Sequence, residues 1–112
     1  MSAGLGGFRP WLLQRITALV LAVGFVAVIA MLLFGNWTYA SWRAFASAPP
    51  VVIGLMLLYG AILLHAWIGV RDVIIDYLHP LAIRLTALAL VGIILFGCAV
   101  WAAAILLPGV LA

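Results

Sequence analysis

Lysine and glutamate are absent from this 112-residue chain, cysteine occurs once, and the only acids are Asp72 and Asp76. Cys98 has no partner for an internal disulfide, and one cysteine cannot supply the spacing of an iron–sulfur or structural zinc site. Its expected role is packing, since a free cysteine behaves as a small hydrophobe. Charged residues make up 6% of the chain, against about a quarter in soluble domains. All five basic residues are arginines (Arg9, Arg15, Arg43, Arg71 and Arg84). They are too few and too scattered for a nucleic-acid surface. No run alternates between apolar and polar residues as barrel strands would.

What remains is apolar: 71% hydrophobic residues and a mean hydropathy of +1.46. That composition specifies an all-α integral membrane protein. Three stretches carry no charge, at residues 16–42, 44–70 and 85–112. Each exceeds the roughly 20 residues that a helix needs to cross a hydrocarbon core of about 30 Å. The pattern predicts three transmembrane helices, near residues 11–35, 50–78 and 81–107, in one domain over 1–112. The first apolar run is too long for a signal-peptide core, so it is read as a retained span.

Gly35 and Asn36 close the first helix, and Trp37, Tyr39 and Trp42 form an aromatic belt in the first loop. Pro49 and Pro50 open the second helix, Pro80 separates it from the third, and Pro108 with Gly109 ends the third. Four arginines flank one membrane face, with Arg43 alone on the other. The positive-inside rule then puts the N-terminus in the cytoplasm of a bacterial inner (cytoplasmic) membrane, or in the matrix of a mitochondrial inner membrane.

The second span ends in "LLHAWIGVRDVIIDY", residues 63–77. From His65, helical spacing returns Gly69, Asp72 and Asp76 to within about 40° of one face, with Asp76 about 16 Å further along the axis. His65 has two readings. It bonds across to a neighbouring helix, or its neutral imidazole is an axial ligand to haem iron. Gly69 clears one turn of the same face for a flat group. Arg71, about 9 Å along the helix, and Arg15 and Arg84, on the same membrane face, are candidates for pairing with haem propionates. Each arginine also reads as a snorkelling anchor. His79 in "DYLHP" lies outside the apolar core, so a second axial ligand is expected from a partner subunit. Asp76 and Tyr77 either serve structure, through an Asp76–Arg84 pair or a cap on the break before Pro80 and through a belt aromatic, or act on a quinone. In the second reading Tyr77 donates to a quinone oxygen, and Asp76 relays protons or orients the tyrosine.

The stretch "HAWIGVRDVIIDYLHPLAIRL", with "LLQRITALVL" near the N-terminus, resembles the smaller of the two hydrophobic membrane-anchor subunits of succinate dehydrogenase, respiratory complex II. The resemblance implies a chain that is not catalytic alone. It would share haem b with a second anchor, the cytochrome b556 subunit, within a haem-binding helix bundle. It would also attach the iron–sulfur and flavoprotein subunits, which carry the iron–sulfur clusters and FAD, to the membrane. Ubiquinone is the implied substrate, in the respiratory chain and the tricarboxylic acid cycle. His65 matches the anchor's axial haem ligand, Tyr77 the tyrosine that hydrogen-bonds ubiquinone, and Asp76 the acidic residue beside it. Arg15 matches the arginine of the first helix's Arg-x-Thr-Ala motif near the propionates.

Two other readings compete. A haem-free structural anchor or assembly subunit explains the spans, and takes Gly54, Gly60, Gly92 and Gly97 as helix contacts. A small transporter subunit would call for a carboxylate near the bilayer midplane, whereas both aspartates lie near its edge.

Overall fold

The computed structural model describes residues 3–111. Helix α1 spans Ala3–Phe34, α2 Tyr39–Ser47, α3 Pro49–Tyr77, α4 Leu81–Leu106 and α5 Pro108–Leu111. Three of these, α1, α3 and α4, are long and apolar enough to cross a membrane. The 29 residues of α3 rise about 43 Å, enough to cross with some tilt. The molecule measures 52 × 24 × 24 Å, the proportions of a short helical bundle set across a bilayer.

Among the described residues the buried apolar side chains are Val52, Ile68 and Ile74, while large apolar side chains are exposed along all three spans. Helices that are apolar all round belong in lipid or against other membrane helices. Close approach holds the bundle together instead. A Cβ built on Gly24 of α1 would run into Cδ1 of Leu58 on α3, so a larger residue there would have to push that leucine's end aside. Small residues at such crossings let backbones approach where no hydrophobic force drives association. Gly92 of α4 lies against the Trp67 ring of α3, 3.8 Å from a built Cβ to Cζ3. Gly54, Gly60 and Gly97 face open space, so of the four glycines expected at helix contacts only Gly92 meets another helix of this chain.

The structure departs from the sequence reading at three places. Helix α1 begins at Ala3 rather than near residue 11, with Pro10 inside it at the loss of one backbone hydrogen bond. The stretch expected as an aromatic loop contains α2. Its start is a capping box, in which Ser41 N donates to Thr38 Oγ1 at 3.1 Å and Thr38 N donates to Ser41 Oγ at 2.9 Å. The belt aromatics pack on one another there, with the rings of Trp37 and Phe45 5.3 Å apart and those of Trp37 and Trp42 5.6 Å apart. Finally, Pro108 opens a further turn, α5, and does not end the chain's helical course. Leu107 keeps helical angles and its carbonyl accepts from Leu111 N at 3.0 Å.

Because α1, α3 and α4 alternate in direction, the start of α1, the end of α3 and the start of α4 lie at one end of the bundle. That end gathers Arg15, Arg71 and Arg84, while Arg43 sits on α2 at the other.

Candidate functional site

Thr17 is the buried polar residue among the described residues, 5% exposed, and it is the partner of His65. Its hydroxyl carries one hydrogen. The shortest acceptor contact is the carbonyl of Leu13, one turn back on α1, at 2.8 Å, with the Gln14 carbonyl at 3.1 Å. With that hydrogen committed to the backbone, Thr17 Oγ1 accepts from Nδ1–H of His65, 3.0 Å away on α3. The shorter contact to Leu13 O favours the tautomer with the proton on Nδ1, whereas a hydroxyl donating to Nδ1 would put the proton on Nε2. In the favoured tautomer Nε2 keeps a lone pair that no other hydrogen bond among the described residues uses. A histidine held through one ring nitrogen with the other bare is the arrangement found at metal-ligating imidazoles.

His65 borders a cleft of about 470 Å³ between α1 and α3. Arg15, Arg71, Asp72, Trp11 and Gln14 share its lining. Arg15 is steadied by the Trp11 ring, with its guanidinium carbon 5.5 Å from the ring centroid. Arg71 pairs with Asp72 at 3.0 Å, and both remain partly exposed, so the pair contributes little to stability. Gly69 makes room for Gln14, whose Nε2 lies 3.3 Å from a Cβ built on that glycine. Gln14 Oε1 is buried with no hydrogen-bond partner, an unusual condition for a buried acceptor. No group of three or more His, Cys, Asp or Glu residues stands ready for a bare metal ion among the described residues. One imidazole beside two guanidinium groups instead suits a cofactor that brings its own equatorial ligands and carries acidic substituents. The donor set therefore fits haem.

The structure thus brings His65, Arg15 and Arg71 together and leaves Asp76 and Tyr77 apart from them. Both are exposed, Tyr77 to 75%, at the arginine-rich end of α3 and outside the cleft lining. The Asp76–Arg84 pair weighed as a structural role does not form. Arg84 turns to backbone carbonyls instead, with Nε donating to Leu78 O and Nη2 to Ile75 O, each at 2.9 Å.

Reasoning from the sequence alone does not single out Thr17 and Gln14 as site residues. The signal for both is polarity within an apolar span, two residues after and one before Arg15.

Comparison with known proteins places the chain in a family. The chain is 39% identical over 97 residues, 86% of its own length and 84% of the relative's, to the succinate dehydrogenase hydrophobic membrane anchor subunit of Coxiella burnetii (strain RSA 493 / Nine Mile phase I). Residues 7–83, which include His65 and every residue lining the cleft, match the family described as succinate dehydrogenase/fumarate reductase transmembrane subunit. With its three apolar spans and most of its length matched, the chain belongs to the succinate dehydrogenase/fumarate reductase transmembrane subunit family.

Proposed function

We propose that this chain is the hydrophobic membrane anchor of a succinate:ubiquinone oxidoreductase. It holds one side of a haem b shared with a cytochrome b556-type anchor and forms part of the ubiquinone site. It also fixes the iron–sulfur and flavoprotein subunits to the bacterial inner membrane, with its N-terminus cytoplasmic. The observation that carries this reading is the hydrogen-bond chain Leu13 O, Thr17 Oγ1, His65 Nδ1, which leaves the Nε2 lone pair of His65 free beside two arginines.

The roles follow from position. His65 Nε2 would hold the haem iron, and Thr17 would keep the ring oriented through Nδ1. Arg15 and Arg71 would neutralise the propionates, and Arg71, now paired with Asp72, is exposed enough to turn toward one. Haem, when bound, supplies a one-electron centre within the membrane. At the exposed end of α3, the Tyr77 phenol donates a hydrogen bond to a ubiquinone carbonyl oxygen. The Asp76 carboxylate, with no ion-pair partner among the described residues, exchanges protons with the aqueous side. Oxidation of succinate belongs to the soluble partners, so this chain is not an enzyme alone. The count of four arginines against one across the bundle supports the orientation.

The test is a reduced-minus-oxidised visible spectrum of the complex purified through this chain, with a His65→Leu variant beside it. A sharp low-spin b-type band that the variant loses, while the partner subunits still copurify, is the expected result. A complete wild-type complex with no haem band would reduce this chain to a haem-free anchor.

A further inference from the structure

We infer that Arg84 is a positioning residue for the quinone edge. It staples the end of α3 to the connection that follows and so sets where Asp76 and Tyr77 stand. The inference rests on the quinone role proposed above for those two residues.

A helix leaves its last carbonyls without partners inside the helix. At the end of α3, Ile74 O accepts from Leu78 N at 2.9 Å. The next carbonyl, Ile75 O, accepts from Arg84 Nη2, and Leu78 O accepts from Arg84 Nε, each at 2.9 Å. One planar guanidinium therefore grips two carbonyls, and the residues between them are Asp76 and Tyr77. The backbone leaves helical angles at Leu78 (φ −103°, ψ 107°), and the residue before Pro80 is itself held extended. Without the arginine, this break has only the single Leu78 N–H bond to define it.

The guanidinium is anchored in turn. Its residue sits in the first turn of α4, where Arg84 N donates to Pro80 O at 3.0 Å. A positive charge at the C-terminal end of α3 also complements the helix dipole. With its guanidinium turned to these carbonyls, Arg84 makes no ion pair with Asp76, and the carboxylate stays available for proton exchange. An Asp76–Arg84 ion pair would have removed it from that role. A lysine could keep the charge but not the two-pronged grip, since the fixed fork belongs to arginine alone.

The experiment uses the assembled complex in detergent, with Arg84→Gln, Arg84→Lys and Tyr77→Phe beside the wild type. Reduction of a short-chain ubiquinone is measured, and rates are normalised to dye-linked succinate oxidation and to haem content. Normalisation removes any loss of assembly, which is all that a merely structural arginine would cause. Misplacing reacting groups by about 1 Å costs up to about 100-fold, so a loosened edge predicts an apparent KM for ubiquinone about tenfold higher in Arg84→Gln. Arg84→Lys should fall between that variant and the wild type. If Tyr77→Phe raises KM but both Arg84 variants match the wild type, the positioning role is overturned and the quinone reading stands. If none of the three changes KM, both fail together.

Discussion

Thr17→Val removes one hydroxyl, replaces it with a methyl group of similar size, and strips His65 Nδ1 of its hydrogen-bond partner. Thr17 is buried and His65 half-buried, so water does not readily take the hydroxyl's place. Interhelical hydrogen bonds within bilayers are worth about 0.6–2 kcal/mol, and an orphaned buried donor costs about 1–3 kcal/mol. The overlap of these ranges, about 1–2 kcal/mol, corresponds to a five- to thirty-fold weaker hold on the cofactor. Losing an outer partner of a ligating histidine costs a comparable 10–100-fold in metal affinity elsewhere. The assay is haem retention: purified complexes are incubated with excess apomyoglobin, and transfer is followed by absorbance. Thr17→Val should release haem faster and at lower occupancy, while Thr17→Ser, which keeps the oxygen, should behave much like the wild type. Equal retention in the valine variant would refute the reasoning, because it would mean that Thr17 neither orients His65 nor fixes its tautomer.

Other substitutions probe the contacts that shape the site. Gly24→Val would drive a branched side chain into Leu58 across the α1–α3 crossing and should destabilise the bundle by about 1–3 kcal/mol. Thermal denaturation in detergent reads this, and Leu58→Ala in the same chain should recover part of the loss. Gly35→Ala would press a methyl group against both the Met31 carbonyl, 2.9 Å away, and the Trp37 indole nitrogen. It should break the Trp37 Nε1 to Met31 O hydrogen bond and shift the tryptophan emission, whereas unchanged emission would mean that the indole does not depend on the glycine. Gly69→Leu would displace the Gln14 carboxamide and should lower haem occupancy at constant subunit stoichiometry, measured by pyridine haemochrome against protein.

Much of this architecture is legible in the sequence, for reasons that differ from residue to residue. The three spans show because charge is expensive in lipid, so Arg15, Arg43, Arg71 and Arg84 punctuate the chain wherever it nears water. His65, Gly69 and Asp72 share a helix face by spacing alone, and in the structure His65 and Asp72 border one cleft that Gly69 helps to open. Asp76 belongs to the same stripe by angle, yet it lies past the cleft because the stripe is long and the cleft occupies only part of it.

What stays hidden depends on contacts between distant residues. Thr17 meets His65 across 48 positions of sequence, and no periodicity in either helix announces that pairing. Arg84 and Asp76 have the spacing and opposite charge of an ion pair. The choice of Ile75 O and Leu78 O over the carboxylate depends on the orphaned carbonyls at the end of α3, which composition does not display. Helix α2 escapes a sequence reading because nine residues are too few for intrinsic propensity to sustain a helix. Its capping box and its packing against α3 and α5 supply what the local sequence lacks.

The central claim is that His65 Nε2 ligates a haem iron, and a redox titration of His65→Met against the wild-type complex tests it most directly. Replacing an axial imidazole by a thioether raises the potential of a b-type centre. The account predicts an altered haem band with a higher midpoint potential, in a complex that retains its partner subunits. A wild-type spectrum and midpoint in His65→Met would contradict it, for the iron would then be held by residues other than His65.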